Sequence, residues 1–324
     1  MGVIAAAGES LAWLGRQGTR AIAVCVFLGL AVPQLSLLFR PIVAPAIFCL
    51  LVLAFLRVEP SALRGEFSRR RLLLLVVATI WIMAVTPLVL GGVYLALGGG
   101  ALSNDLSLAL IMQVAAPPII STPAFAALLG LDIALALATL IATTTVTPLT
   151  SPFFAALFAG GALPIDATAL ALRLAFFLGG SFAVAWIIRR LLGDGRIRDW
   201  REHIDGLNVI ALFVFAVALM GVVTLQFFEA PLFVLALTAL SFLVTFGLMA
   251  VTVLLFFPLS MDRNLAIAVA SGFRNLGLML AAASGVSDTV WLYVAVAQFP
   301  VYLAPWLLYP LVQRVLGARL PPGR

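Results

Sequence analysis

Ala270-Ser271-Gly272-Phe273-Arg274-Asn275-Leu276-Gly277-Leu278 lies inside a long apolar segment, yet it carries an arginine, an asparagine and two glycines. An arginine near the centre of a bilayer costs at least about 2.5–3.5 kcal/mol. Glycine inside a helix costs about 1 kcal/mol relative to alanine and lets the backbone open. A membrane-spanning chain tolerates both where polar groups face a cavity or other protein. The stretch therefore reads as a broken membrane helix at a binding site, in an all-α polytopic membrane protein.

The rest of the 324 residues agrees: 64% are hydrophobic and only 10% charged, whereas soluble domains carry about 25% charged residues. Mean hydropathy is +1.20. The net charge is +6 and every basic residue is arginine. Those arginines sit between apolar spans, so they read as topogenic charge on loops, and no nucleic-acid partner is expected. Cys25 and Cys49 fall in apolar runs and read as buried thiols. With His203 the only histidine, neither a metal site nor a cofactor is expected. Met1 to Arg20 reads as a polar, partly amphipathic lead-in rather than a cleaved leader.

A span needs roughly 20 apolar residues, and this criterion gives ten, at 21–39, 41–58, 72–97, 106–129, 131–158, 168–191, 207–228, 231–257, 264–284 and 289–316. With the N-terminus in the cytoplasm, the cytoplasmic segments hold Arg16, Arg20, Arg64, Arg69, Arg70, Arg71, Asp132, Arg196, Arg198, Arg201, Arg263, Arg319 and Arg324. The external loops hold Arg40, Asp105, Asp166, Glu229 and Asp288. Arginine thus falls almost wholly on one side, as the positive-inside rule requires. The expected location is a cell membrane such as a bacterial inner membrane, with both termini cytoplasmic.

Ten spans divide into two sets of five about the loop Gly160–Ala167, and an odd number in each half makes the repeats inverted. Interrupted spans in corresponding positions then point to the site. The ninth span has the opening stretch. The fourth has Ala116-Pro117-Pro118-Ile119-Ile120-Ser121-Thr122-Pro123. Its prolines each remove a backbone donor and clash with the preceding turn. Helices four and nine are expected to be broken there, with the two breaks approaching each other.

Broken helices expose amides and carbonyls that hold ions or polar substrate groups. Substrate-binding candidates are Arg274, Asn275, Ser271, Ser121, Thr122 and Gln113. Thr143, Thr144 and Thr147 of the fifth span, with Pro117, Pro118, Pro123, Gly272 and Gly277, are candidates for the cavity wall; each hydroxyl can equally bond its own helix. Arg274 has no acid within any span to pair with. Two roles are open to it, which can coexist in different states: capping the carbonyls freed at a break, or binding an anion bidentately.

These motifs resemble the bile-acid:sodium symporter family, within the superfamily that includes auxin efflux carriers and arsenite permeases. The resemblance rests on the two breaks, on Thr143-Thr144-Thr145-Val146-Thr147-Pro148-Leu149-Thr150-Ser151-Pro152, and on Gly272-Phe273-Arg274-Asn275-Leu276-Gly277, which is similar to the family's Gly-x-Gln-Asn-x-Gly. It implies a panel domain of residues 1–58 and 168–228 (helices one, two, six and seven). It also implies a core domain of residues 72–158 and 231–318 (helices three to five and eight to ten), in which the broken helices four and nine cross, and transport by rocking. The chain departs from the family's sodium sites: Ala270 stands where an acid is expected, Arg274 where the glutamine is, and Thr122-Pro123 where a Ser-Asn pair is. The resemblance thus implies a secondary transporter of a small organic anion, embedded in the lipid bilayer and not coupled to sodium at the usual sites. A sodium-dependent symporter with displaced ion sites and a non-transporting membrane sensor are the alternatives; the sequence leaves the oligomeric state open.

Orientation has a direct check. With the native cysteines removed, a cysteine at Phe67 is expected to resist a membrane-impermeant thiol reagent added outside, and one at Ile165 to react. Labelling of both, or the reverse pattern, contradicts the ten-span topology.

Overall fold

The computed structural model describes residues 2–58, 68–96, 102–159, 166–283 and 285–317. Arg64, Arg319, Arg324, Phe67, Ile165 and most of the loop between the two halves lie outside them. Among the described residues every regular element is a helix. In order these are α1 (Gly2–Ala31), α2 (Pro33–Phe39), α3 (Val43–Arg57), α4 (Arg69–Ile80), α5 (Thr86–Ala96), α6 (Asn104–Ala115), α7 (Thr122–Leu129) and α8 (Ile133–Ala159). There follow α9 (Ala167–Ala175), α10 (Ser181–Asp199), α11 (Arg201–Glu229), α12 (Pro231–Leu255), α13 (Met261–Gly272), α14 (Leu276–Ala282), α15 (Asp288–Val296) and α16 (Gln298–Leu316).

Among the described residues six helical stretches are long and apolar enough to cross a membrane: Pro33–Arg57, Arg69–Ala96, Ile133–Phe158, Ala167–Asp199, Arg201–Glu229 and Pro231–Leu255. A seventh is the pair Asp288–Ala304 and Trp306–Leu316, bent by 40°. The other three expected spans fall on α1 and on the pairs α6–α7 and α13–α14, each split by a break.

The first boundary differs from expectation. The chain turns at Val32, not at Arg40: α1 runs unbroken to Ala31, and Arg40–Ile42 is one 3-10 turn between α2 and α3. Pro33 starts α2 at a position where its missing N–H costs nothing. Arg40 is kept inside the span by Asp288, 2.7 Å away, and by the face of Trp291, 5.0 Å from its guanidinium. Hydropathy sees the charge and not these partners. Cys49 is also a correction: it is exposed on α3 rather than buried, an apolar surface position that lipid accommodates. The Cys25 side chain lies outside the described ones.

The chain forms two compact units. The first comprises Met1–Glu59, Leu172–Val234 and Gly277–Ala295. In it α1 packs along α11 in parallel. Gly15 lies against Glu202 and Gly29 against Met220, and Arg16 pairs with Glu202 at 2.6 Å. The backbones approach so closely that a Cβ on Gly206 would lie 2.1 Å from the Leu11 carbonyl oxygen. The α3 helix packs in parallel along α10 and the π turn Phe176–Gly180 that precedes it. Phe48 stacks on Phe176, Phe55 meets Phe182 edge-on, and Arg189 donates to the Leu56 and Val58 carbonyls that end α3.

The second unit comprises Pro60–Ala171, Leu235–Leu276 and Val296–Arg324. Its centre is α8, beside which α13 runs in parallel. Asp132 caps α8 through Leu135 N–H and reaches Arg263 at 3.4 Å, pinning the two helix starts together. Deeper in, Leu135, Ile82, Ile267 and Ala270 form one buried cluster. A second cluster joins α7, α8, α13 and α16 through Ala126, Leu129, Ala136, Val269, Phe273 and Ala304. These two clusters carry the two breaks.

Candidate functional site

The break between α6 and α7 follows from its prolines. Ala116, the residue before Pro117, is driven to extended backbone at φ −67°, ψ 146°. Neither Pro117 nor Pro118 offers an N–H to the preceding turn. The chain then passes through the bridge at Pro118 and a turn at Ile120–Ser121, closed by Thr122 N–H on the Ile119 carbonyl, before Thr122 and Pro123 open α7. Pro123 therefore belongs to a helix start rather than to the break, where its missing donor is harmless.

The break between α13 and α14 is Phe273, Arg274 and Asn275. Gly272 and Gly277 are helical, and neither has positive φ. The expectation that glycine opens the backbone here is corrected. At Gly272 the reason is space, since a Cβ would lie 2.3 Å from Met249 Cγ and 2.8 Å from the Thr245 carbonyl oxygen.

The two breaks meet, as expected. Pro118 and Arg274 face each other as one antiparallel bridge. Pro118 has no N–H, so its neighbours make the bonds: Ile119 N–H donates to the Phe273 carbonyl at 2.8 Å, and Asn275 N–H to the Pro117 carbonyl at 2.7 Å. The Phe125 and Phe273 rings pack edge-on beside them, centroids 5.1 Å apart.

Arg274 is 3% exposed and turns into this unit. Nη1 donates to the Ile82 carbonyl at 3.0 Å and to the Ala116 carbonyl at 2.9 Å. Nη2 donates to Thr86 Oγ1 at 2.8 Å. Nε has no partner among the described residues. Both carbonyls are available for a reason the sequence contains. Ala116 ends α6 at the break. Ile82 lies in the π turn Trp81–Val85, where Thr86 N–H goes to the Trp81 carbonyl instead of to Ile82. The next donor along would be residue 87, which is proline. Thr86 Oγ1 donates to the Ile82 carbonyl at 2.7 Å, so its lone pairs are left facing Arg274. Ile82, Thr86 and Pro87 were not among the sequence candidates. Their signal was a Thr-Pro pair in the middle of an apolar span, overlooked because it carries no charge.

The other candidates divide by depth. Thr122, Ser271 and Gln113 are buried, as are Pro117, Pro118, Gly272 and Gly277. Asn275 and Pro123 are half-buried and Ser121 is exposed. Among the described residues the Ser271 hydroxyl has no partner, and nor does that of Thr139. Thr139, Thr143, Thr147 and Ser151 form one fully buried stripe of α8. Thr143 and Thr147 each bond the carbonyl one turn back, while Ser151 donates to the Ala115 carbonyl at 2.6 Å and ties α8 to the end of α6. Thr144 is half-buried on another face.

The geometry is that of a multi-pass membrane transporter, with two discontinuous helices joined back to back at an uncompensated charge. The model of the sodium bile acid symporter family matches residues 44–230, more than half of the chain, and the chain belongs to that family. The match takes in the first break and ends before the second; the structure brings the two together. No curated protein matches the chain.

Thr86→Val removes both a ligand of Arg274 and a donor to Ile82 in a buried site. It is expected to destabilise the protein by about 1–3 kcal/mol, read as a lower melting temperature in detergent. Thr145→Val, on the exposed face of α8, is expected to stay within about 0.5 kcal/mol of the parent.

Proposed function

We propose that the protein is a secondary transporter of a small organic anion, working by alternating access and not coupled to sodium at the family's usual sites. It acts as a carrier, not an enzyme, with ten spans in two inverted repeats and a panel and core domain. The pairing within the first unit supports the repeats. Exchanging spans one with six and two with seven turns the parallel pair α1–α11 into the parallel pair α3–α10. The half-turn that relates inverted repeats makes that exchange.

The observation that carries the anion is the buried guanidinium. Arg274 has three oxygen partners, none of them a carboxylate, so its charge is balanced only by dipoles. A site with net positive charge in a low-dielectric setting attracts anions. Asn275, next to it in the chain, and Ser121, before α7, are less buried than Arg274, and the Arg274 Nε and Ser271 hydroxyl are donors without a partner among the described residues. The same charge disfavours sodium: two unit charges about 5 Å apart repel by roughly 3 kcal/mol at an effective dielectric near 20. Ala270, fully buried among apolar residues, offers no compensating acid.

Calorimetry on the purified protein with a panel of small carboxylates and sulfonates tests this. At least one anion is expected to bind equally with and without sodium. Asn275→Ala should weaken it about tenfold and Arg274→Ala about a hundredfold. Binding that needs sodium contradicts the coupling. Full affinity in folded Arg274→Ala leaves Arg274 the carbonyl-binding role alone.

A further inference from the structure

Three oxygens of unlike origin converge on the Arg274 head: the Ile82 carbonyl freed by the π turn and Pro87, the Thr86 hydroxyl whose proton is committed to Ile82, and the Ala116 carbonyl at the first break. All three are acceptors aimed at one place, and all belong to buried residues. Without a positive group there, the Ala116 carbonyl would lose its side-chain donor, the Ile82 carbonyl would be served by Thr86 alone, and the Thr86 lone pairs would face both, in an interior where an unsatisfied buried acceptor costs about 1–3 kcal/mol. Such a cluster is the chemistry of a small monovalent-cation site. Here the backbone itself dictates it, because the prolines deny Ile82 its amide whatever residue stands at position 274.

We propose that Ile82, Thr86 and Ala116 form a cation socket in which Arg274 is a tethered occupant. The chain thus carries its own non-exchangeable cation, and the socket accepts a free monovalent cation once the arginine head is removed. Planar guanidinium ions are the preferred class, since a guanidinium donates from separate nitrogens to these three oxygens. The socket rests on this geometry alone. Its consequence for coupling, that no exchangeable ion is needed to hold the two breaks together, rests on the transporter assignment above.

The test uses melting temperature, which needs no substrate, so its failure is separable from failure of the anion-binding assay. Arg274→Ala is expected to melt below the parent. Millimolar guanidinium or methylguanidinium should restore about half or more of the loss in a saturable way, as a ligand bound only by the folded state does. Choline at equal ionic strength should restore none. The parent should not respond, and adding Thr86→Val should weaken the rescue severalfold. No rescue by any guanidinium, or equal rescue by guanidinium and choline, overturns the proposal. If Arg274→Ala gives no folded protein, Arg274→Lys and Arg274→Met decide. Lysine, with an ammonium for the socket, should melt well above methionine, which matches its length without the charge. Equal melting temperatures for the two overturn the proposal.

Discussion

A buried charge with no counter-charge has to be solvated by dipoles. That constraint organises the middle of this protein. The Arg274 guanidinium lies away from water and holds no carboxylate. A charge so placed is tolerated only where it is hydrogen-bonded. The Ile82 carbonyl is available because Thr86 N–H bonds Trp81 and residue 87 is proline, and the Ala116 carbonyl because α6 ends there, before Pro117. The remaining broken-helix groups are satisfied in the same exchange. Ala115 accepts from Ser151, Phe273 accepts from Ile119, and Pro117 accepts from Asn275. Each break therefore supplies what the other lacks, and neither would be stable at this depth alone.

This explains why the second unit packs as it does. The α8 helix has to present Ser151 to the end of α6 while its start is held to α13 by Asp132. Its buried hydroxyl stripe then lies along the interior. The threonines turn their hydroxyls onto their own helix, so the stripe adds polarity without leaving most of its groups unpaired. Thr139 is the exception in the stripe, and Ser271 of α13 likewise has no partner among the described residues; they lie one turn beyond Leu135 and Ile267, which share one buried cluster.

Much of this was legible in the sequence. The prolines of 117–123 and the charge at 274 located both breaks and their meeting, because proline chemistry is local and a mid-membrane arginine demands an explanation. The depth of each residue was less legible. Arg274 was open to two roles, capping carbonyls freed at a break or binding an anion, and its bonded nitrogens are seen in the first of these. The glycines were credited with opening a backbone that Phe273 and Asn275 open without them. At the first turn, Arg40 read as a loop residue because its partners, Asp288 and Trp291, lie 248 positions or more away in sequence, and hydropathy has no term for a distant partner. The π turn at Trp81–Val85 was missed because it changes hydrogen bonding without changing polarity.

One guanidinium, bonded among the described residues to backbone and hydroxyl oxygens alone, joins the two broken helices. An experimental density map of the protein in lipid, sharp enough to place side-chain nitrogens, tests it most directly. Arg274 Nη1 and Nη2 are expected at about 3 Å from the Ile82 and Ala116 carbonyls and Thr86 Oγ1, with Pro118 and Arg274 bridged. A guanidinium pointing away from those oxygens, paired with a carboxylate or lying in open solvent, would contradict it.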